Sequence, residues 1–134
     1  VHVHERPEGK RFLVLDAAMN DLMRPALYDA YHDIRPVRPV EGAPVRAYDV
    51  VGPVCESGDT FTKDRPLPEL HAGDLVAFMT AGAYGAVMGS EYNSRPIAPE
   101  VLVRDGRWAV VRRRPSYDDM LRREPLAPWL EGDS

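Results

Sequence analysis

The chain has 134 residues and a formal net charge of −4, a size at which one domain can bury a core without disulfides or a structural metal. Charges of both signs are interspersed and no long basic block occurs, which argues against nucleic acid or an anionic membrane as the principal partner. No apolar run approaches the roughly 18 to 20 residues of a membrane span, and the single cysteine fits a reducing, cytoplasmic setting.

Thirteen prolines, near twice the average share of about 5%, cut the chain into short elements and favour β structure with many turns. Val1-His2-Val3-His4 alternates apolar and polar residues like a half-buried strand. Across a Pro7-Glu8-Gly9 turn, the run Phe12-Leu13-Val14-Leu15 predicts a second strand. His2 and His4 would share one strand face, but no third ligand is evident and no metal site is assigned. Pro25 restricts Arg24 to an extended backbone and starts a helix expected to run from about Pro25 to Asp33.

Arg46 to Val51 and Asp74 to Thr80 read as strands, the second apolar enough to be central, with a polar, proline-bearing loop between them. Gly82-Ala83-Tyr84-Gly85 reads as a glycine-rich turn that brings the backbone close to a ligand and leaves the Tyr84 phenol unshielded. Two strands around Asp105-Gly106 predict a hairpin with a two-residue type I′ turn. Ser116 and Asp119 predict a capped helix to about Arg123, followed by a proline-rich end that is peripheral or partner-bound. The expected fold is mainly β, a mostly antiparallel Greek-key barrel or sandwich with one or two short helices, in a single domain over residues 1–134.

The segment Val54-Cys55-Glu56-Ser57-Gly58-Asp59 is the best place to look for chemistry. A lone cysteine has no disulfide partner within the chain and no second thiolate for a structural zinc set, so Cys55 serves packing, or acts as nucleophile or proton donor. Pro53 and Gly58 place it where a strand turns into a loop, so that Cys55 and Glu56 can serve one site. Arg24 and Tyr28, four residues apart at a helix entry, either converge on one carboxylate or belong to a turn and to a packed face of Leu27, Tyr28 and Tyr31.

Met19-Asn20-Asp21-Leu22-Met23-Arg24-Pro25-Ala26-Leu27-Tyr28, the cysteine loop, Gly82-Ala83-Tyr84-Gly85 and Ser90-Glu91-Tyr92-Asn93-Ser94-Arg95-Pro96, in this order, resemble the C-terminal part of the meso-diaminopimelate decarboxylase family. Its members are alanine racemase-like, fold type III pyridoxal phosphate enzymes, and the resemblance runs from about Lys10 to Arg104. It implies a C-terminal β domain whose (β/α)8 barrel, carrying the Schiff-base lysine, is missing from this chain. Neither Lys10 nor Lys63 resembles a desolvated catalytic amine, and the chain is expected to be a domain separated from a longer enzyme.

The resemblance further implies that meso-diaminopimelate is the substrate and L-lysine and CO2 the products, with pyridoxal 5′-phosphate bound mainly by the barrel. Cys55 is then the proton donor, and Glu56 pairs with the distal ammonium. Arg24 and Tyr28 hold the distal carboxylate, and Tyr84 contacts both cofactor and substrate. The loop would reach into the barrel of the opposite subunit of a homodimer, with Asp59 and Ser57 shaping it and Glu91, Asn93 and Arg95 near the interface. Two other readings stay open: a stand-alone β module without chemistry, and a decarboxylase of a related basic amino acid. Diamine-forming relatives usually carry Asp in place of Glu56, and their substrates lack a distal carboxylate for Arg24 and Tyr28 to bind.

Overall fold

The computed structural model describes residues 1–39 and 41–130. In chain order its elements are β1 (His2–Glu5), β2 (Arg11–Val14), α1 (Arg24–Tyr28), β3 (Ile34–Pro36), β4 (Val45–Val51), β5 (Thr60–Pro68), β6 (Val76–Phe78), α2 (Gly82–Met88), β7 (Glu100–Arg104), β8 (Arg107–Arg112) and α3 (Tyr117–Leu121). Two compact units result, Val1–Gly89 and a second beginning at Ser90. The fold is mainly β with short helices, as expected. Its described strands form a four-stranded sheet and two two-stranded ones, and no closed barrel is traced among the described residues.

In the first unit the sheet order is β1-β2-β4-β5. β1 and β2 pair antiparallel, β2 and β4 parallel, and β4 and β5 antiparallel. The expected alternation is visible in β1, where Val3 is half-buried between the exposed His2 and His4, and in the apolar run of β2 and the residue after it, Leu13 and Leu15 are buried. These two join Leu22, Ile34, Tyr48, Val50, Phe61, Leu67 and Leu70 in the core. Tyr48 satisfies its buried hydroxyl by accepting from the Leu70 amide at 3.2 Å, as a buried phenol requires.

β5 occupies the segment expected to be a loop. Lys63, Asp64, Arg65, Pro66 and Pro68 conceal it in the sequence, yet Phe61 and Leu67 are buried while Lys63 and Asp64 are exposed. As an edge strand β5 tolerates prolines, which have no N–H to offer a further neighbour. Its register against β4 shifts, with Tyr48 opposite Arg65 but Val50 opposite Thr62. The extra residue is accommodated around Asp64, at φ 49°, whose amide donates to the buried Asp49 carboxylate at 3.0 Å. Such a bulge bends the strand and re-aims side chains.

Three more expectations are corrected. The segment 74–80 is not a central strand, because β6 covers only Val76–Phe78 and, among the described residues, pairs with β3 alone. α1 stops at Tyr28 because Asp29 turns left-handed, at φ 52° and ψ 30°, and the helix includes Arg24 rather than beginning after it. The glycine-rich stretch around Tyr84 is the helix α2. Gly85 is buried against Leu22, where an added Cβ would lie in ordinary contact at 3.6 Å, so tertiary packing outweighs the weak helix propensity of glycine.

The second unit contains the expected hairpin and capped helix. Asp105 and Gly106 both have positive φ, 51° and 71°, as a type I′ turn demands. In α3 the Ser116 hydroxyl accepts from the Asp119 amide, and the Asp119 carboxylate accepts from the Ser116 amide. The helix ends at Leu121, short of Arg123. Of the proline-rich end, residues 131–134 lie outside the described residues.

Candidate active site

The loop of residues 52–59 closes the β4–β5 hairpin, with the Gly52 amide donating to the Asp59 carbonyl at 3.0 Å. The Asp59 side chain folds back beneath it, and the residue is only 3% exposed. Its Oδ2 accepts from the Val54 amide at 2.9 Å and its Oδ1 from the Met19 amide at 2.7 Å, charge-assisted bonds of the stronger kind. Any residue other than glycine at position 52 would place its Cβ 2.3 Å from Asp59 Oδ2. Above this support Cys55 is exposed. Glu56 is exposed beside it, and its Oε1 accepts from the Gly58 amide at 2.9 Å and the Ser57 hydroxyl at 3.2 Å.

The segment entering α1 is equally well determined. Ala18 donates its amide to Asp21 Oδ2 at 2.9 Å, and its carbonyl accepts from the Asp21 and Leu22 amides. This turn delivers the buried Leu22 onto Gly85 of α2. Arg24 and Tyr84 are thereby brought together, the guanidinium carbon lying 5.4 Å from the centre of the Tyr84 ring, within cation–π range. Tyr28 is 63% exposed and Tyr84 62%, and Leu27 and Tyr31 are also exposed. Within the first unit, therefore, Leu27, Tyr28 and Tyr31 do not form a buried face.

All five candidate residues fall in the first unit, on three supports linked through Asp59, Met19 and Leu22. Sequence reasoning missed the Asp59–Met19 bond, which joins residues 40 apart, and the Arg24–Tyr84 contact. Only the small residues Gly52 and Gly85 hinted at close approaches. A cavity of about 470 Å³ between α1 and β5 is lined by Tyr31, His32, Ser57, Lys63 and Arg65 among others, and by none of the five. The suggested interface residue Glu91 is committed within the second unit, where Arg123 reaches both its oxygens at 2.6 Å.

The fit to pyridoxal phosphate is partial. Tyr84 offers an exposed phenol, but the amine that would anchor the cofactor is not found at Lys10. Lys10 Nζ is held 2.8 Å from the Asp49 carboxylate, and that hydrogen bond, against a smaller opposing effect of burial, raises its pKa above the usual lysine value. A Schiff-base lysine needs the opposite shift. Among the described residues no three His, Cys, Asp or Glu side chains gather to hold a metal ion. No described helix is long and apolar enough to cross a membrane.

A family model described as the pyridoxal-dependent decarboxylase C-terminal sheet domain matches residues 1–82. The chain is 52% identical to diaminopimelate decarboxylase of Zymomonas mobilis, over 90% of its own length and 28% of the relative's. It is 53% identical to the Pseudomonas aeruginosa enzyme of that name, over 90% of its length and 29% of the relative's. The crystal structure of M. jannaschii diaminopimelate decarboxylase in co-complex with L-lysine superimposes with a TM-score of 0.87 at 36% identity, over 96% of this chain and 29% of that one. The chain thus spans under a third of the length of these relatives.

Proposed function

Because the chain belongs to the pyridoxal-dependent decarboxylases as their C-terminal sheet domain, we propose that it is the C-terminal β domain of a cytoplasmic, homodimeric diaminopimelate decarboxylase. That enzyme converts meso-2,6-diaminopimelate to L-lysine and CO2, and residues 1–134 contribute the proton donor and the substrate-recognition groups. The observation that carries the reading is the exposed Cys55–Glu56 loop, held on the same framework as Arg24 and Tyr84. The names of relatives at 52% and 53% identity support it. So does the L-lysine bound by the M. jannaschii enzyme, the product of the proposed reaction.

Pyridoxal phosphate, held mainly by a barrel domain, supplies the electron sink for loss of CO2. The residues of this chain do the rest. Cys55 delivers a proton from Sγ to the substrate carbon. Arg24 offers a forked pair of donors to the distal carboxylate, and Tyr28 a third from the same helix. Glu56 accepts from the distal ammonium, its carboxylate oriented by the Gly58 amide and the Ser57 hydroxyl. Tyr84, with Arg24 over its ring, presents its hydroxyl to cofactor and substrate. Because Cys55 and Glu56 are exposed here, the loop is available to enter the barrel of the opposite subunit.

Substitutions in the full-length enzyme separate these roles. Cys55→Ala is expected to lower kcat on the order of 10²-fold, the usual scale for general acid catalysis, with little change in substrate affinity. Arg24→Ala is expected to raise KM for diaminopimelate, and Arg24→Lys not to restore it, because a point charge cannot reproduce forked binding. Steady-state kinetics measure both. A Cys55→Ala enzyme with near-normal kcat would remove Cys55 from proton transfer, and unchanged kcat/KM in the Arg24 variants would remove Arg24 from recognition.

A further inference from the structure

We infer that Asp59 is a positioning residue that couples the proton-donor loop to the substrate-recognition segment, so that one buried carboxylate sets the place of both Cys55 and Arg24. The inference rests on the roles given above to those two residues. Its basis is geometric. The two oxygens of Asp59 are divided between two backbone amides, Val54 immediately before Cys55 and Met19 at the start of the turn that leads to Arg24. Both amides lie outside helices and strands, so no ladder bond holds either segment at that point. Gly52 provides the space that the carboxylate fills. Beyond Met19 the linkage continues through the Ala18–Asp21 turn to Leu22, which rests on Gly85 of the helix carrying Tyr84.

A carboxylate suits this task because it accepts on both sides. An amide of the same shape accepts on one side only and places an N–H against the other donor. Asp59→Asn therefore keeps the volume and breaks one of the two ties. A displacement of about 1 Å in a catalytic group can cost roughly 10²-fold in rate, so a carboxylate that never touches substrate can govern turnover.

A double-mutant cycle in the full-length enzyme tests the coupling. With Cys55 present, Asp59→Asn is expected to lower kcat about 10- to 100-fold. In a Cys55→Ala background the same substitution is expected to change kcat less than about threefold, because its effect runs through Cys55. Its effect on KM should likewise shrink when Arg24 is already Ala. A merely structural role would lower kcat equally in both backgrounds, and that result would overturn the inference. Normal kcat in Cys55→Ala itself would instead overturn the reading on which it rests. Should Asp59→Asn fail to fold, hydrogen exchange of the unsubstituted enzyme still decides. The Val54 and Met19 amides are expected to exchange slowly and to open together, and free exchange at either would show that Asp59 does not hold it.

Discussion

Asp49 and Lys10 show how a single pair shapes the first unit. Burial pushes the Asp49 carboxyl toward its neutral form, but the hydrogen bond from Lys10, the Asp64 amide and the Lys10 and Lys63 charges outweigh it and hold the pKa below the usual value. A depressed carboxyl stabilises the fold above its unfolded pKa of about 3.9, and that stability is lost as pH falls through the folded value. Lys10, raised first by the same hydrogen bond, contributes fully below its unfolded value of about 10.4 and loses the contribution as pH rises through its higher folded value. The pair therefore acts across the neutral range and fades at both ends. Urea midpoints of the wild type and of Asp49→Asn should differ at pH 7 and converge below about pH 4. A difference independent of pH would mean that Asp49 is not an ionised partner. Residues of this kind are hard to find in sequence, because Lys10 and Asp49 are 39 positions apart and meet only through the parallel pairing of β2 with β4.

At the scale of elements, the glycines divide into those that need a backbone angle and those that need space. Gly106 is of the first kind, at φ 71° with nothing within 4 Å of an added Cβ. Gly106→Ala should then destabilise the β7–β8 hairpin by roughly 1–2 kcal/mol through the left-handed backbone alone. Gly106→Asn should cost less, since asparagine tolerates that region. Amide exchange in β7 and β8 reports the change, and identical protection in Gly106→Ala would contradict the type I′ assignment. Elements with local signatures were legible in this way. The Asp105-Gly106 turn and the Ser116/Asp119 cap are written in neighbouring residues, and the structure places both as expected. β5 was not legible, because its pattern is overlaid by charges and prolines that only an edge position makes acceptable. Nor was α2, whose two glycines signal a turn until Gly85 is seen to be buried against Leu22.

Each of the two units exposes large apolar side chains. In the first unit Leu27, Tyr28, Tyr31, Tyr84 and Val87 are all exposed. In the second, Val101, Leu102, Val103, Trp108, Val110 and Val111 are exposed along a two-stranded ribbon. Isolated two-stranded ribbons are marginal in water, and extended apolar patches tend to find partners. The 134-residue chain alone is therefore expected to self-associate as its concentration rises, which sedimentation velocity measures. A monodisperse monomer at high concentration would favour a stand-alone module over a domain that docks on a barrel.

By itself the sequence determined the mainly β class, the hairpin and the cap, because alternation, turn chemistry and capping act over a few neighbouring residues. It also determined the family, through three separated motifs in the family's order. Only the tertiary structure decided that Asp59 ties the cysteine loop to Met19, that Arg24 lies over Tyr84, and that Tyr84 stands on a helix. Those contacts join segments 40 to 60 residues apart, and their geometry depends on how the sheet and helices pack, which no local pattern of residues encodes.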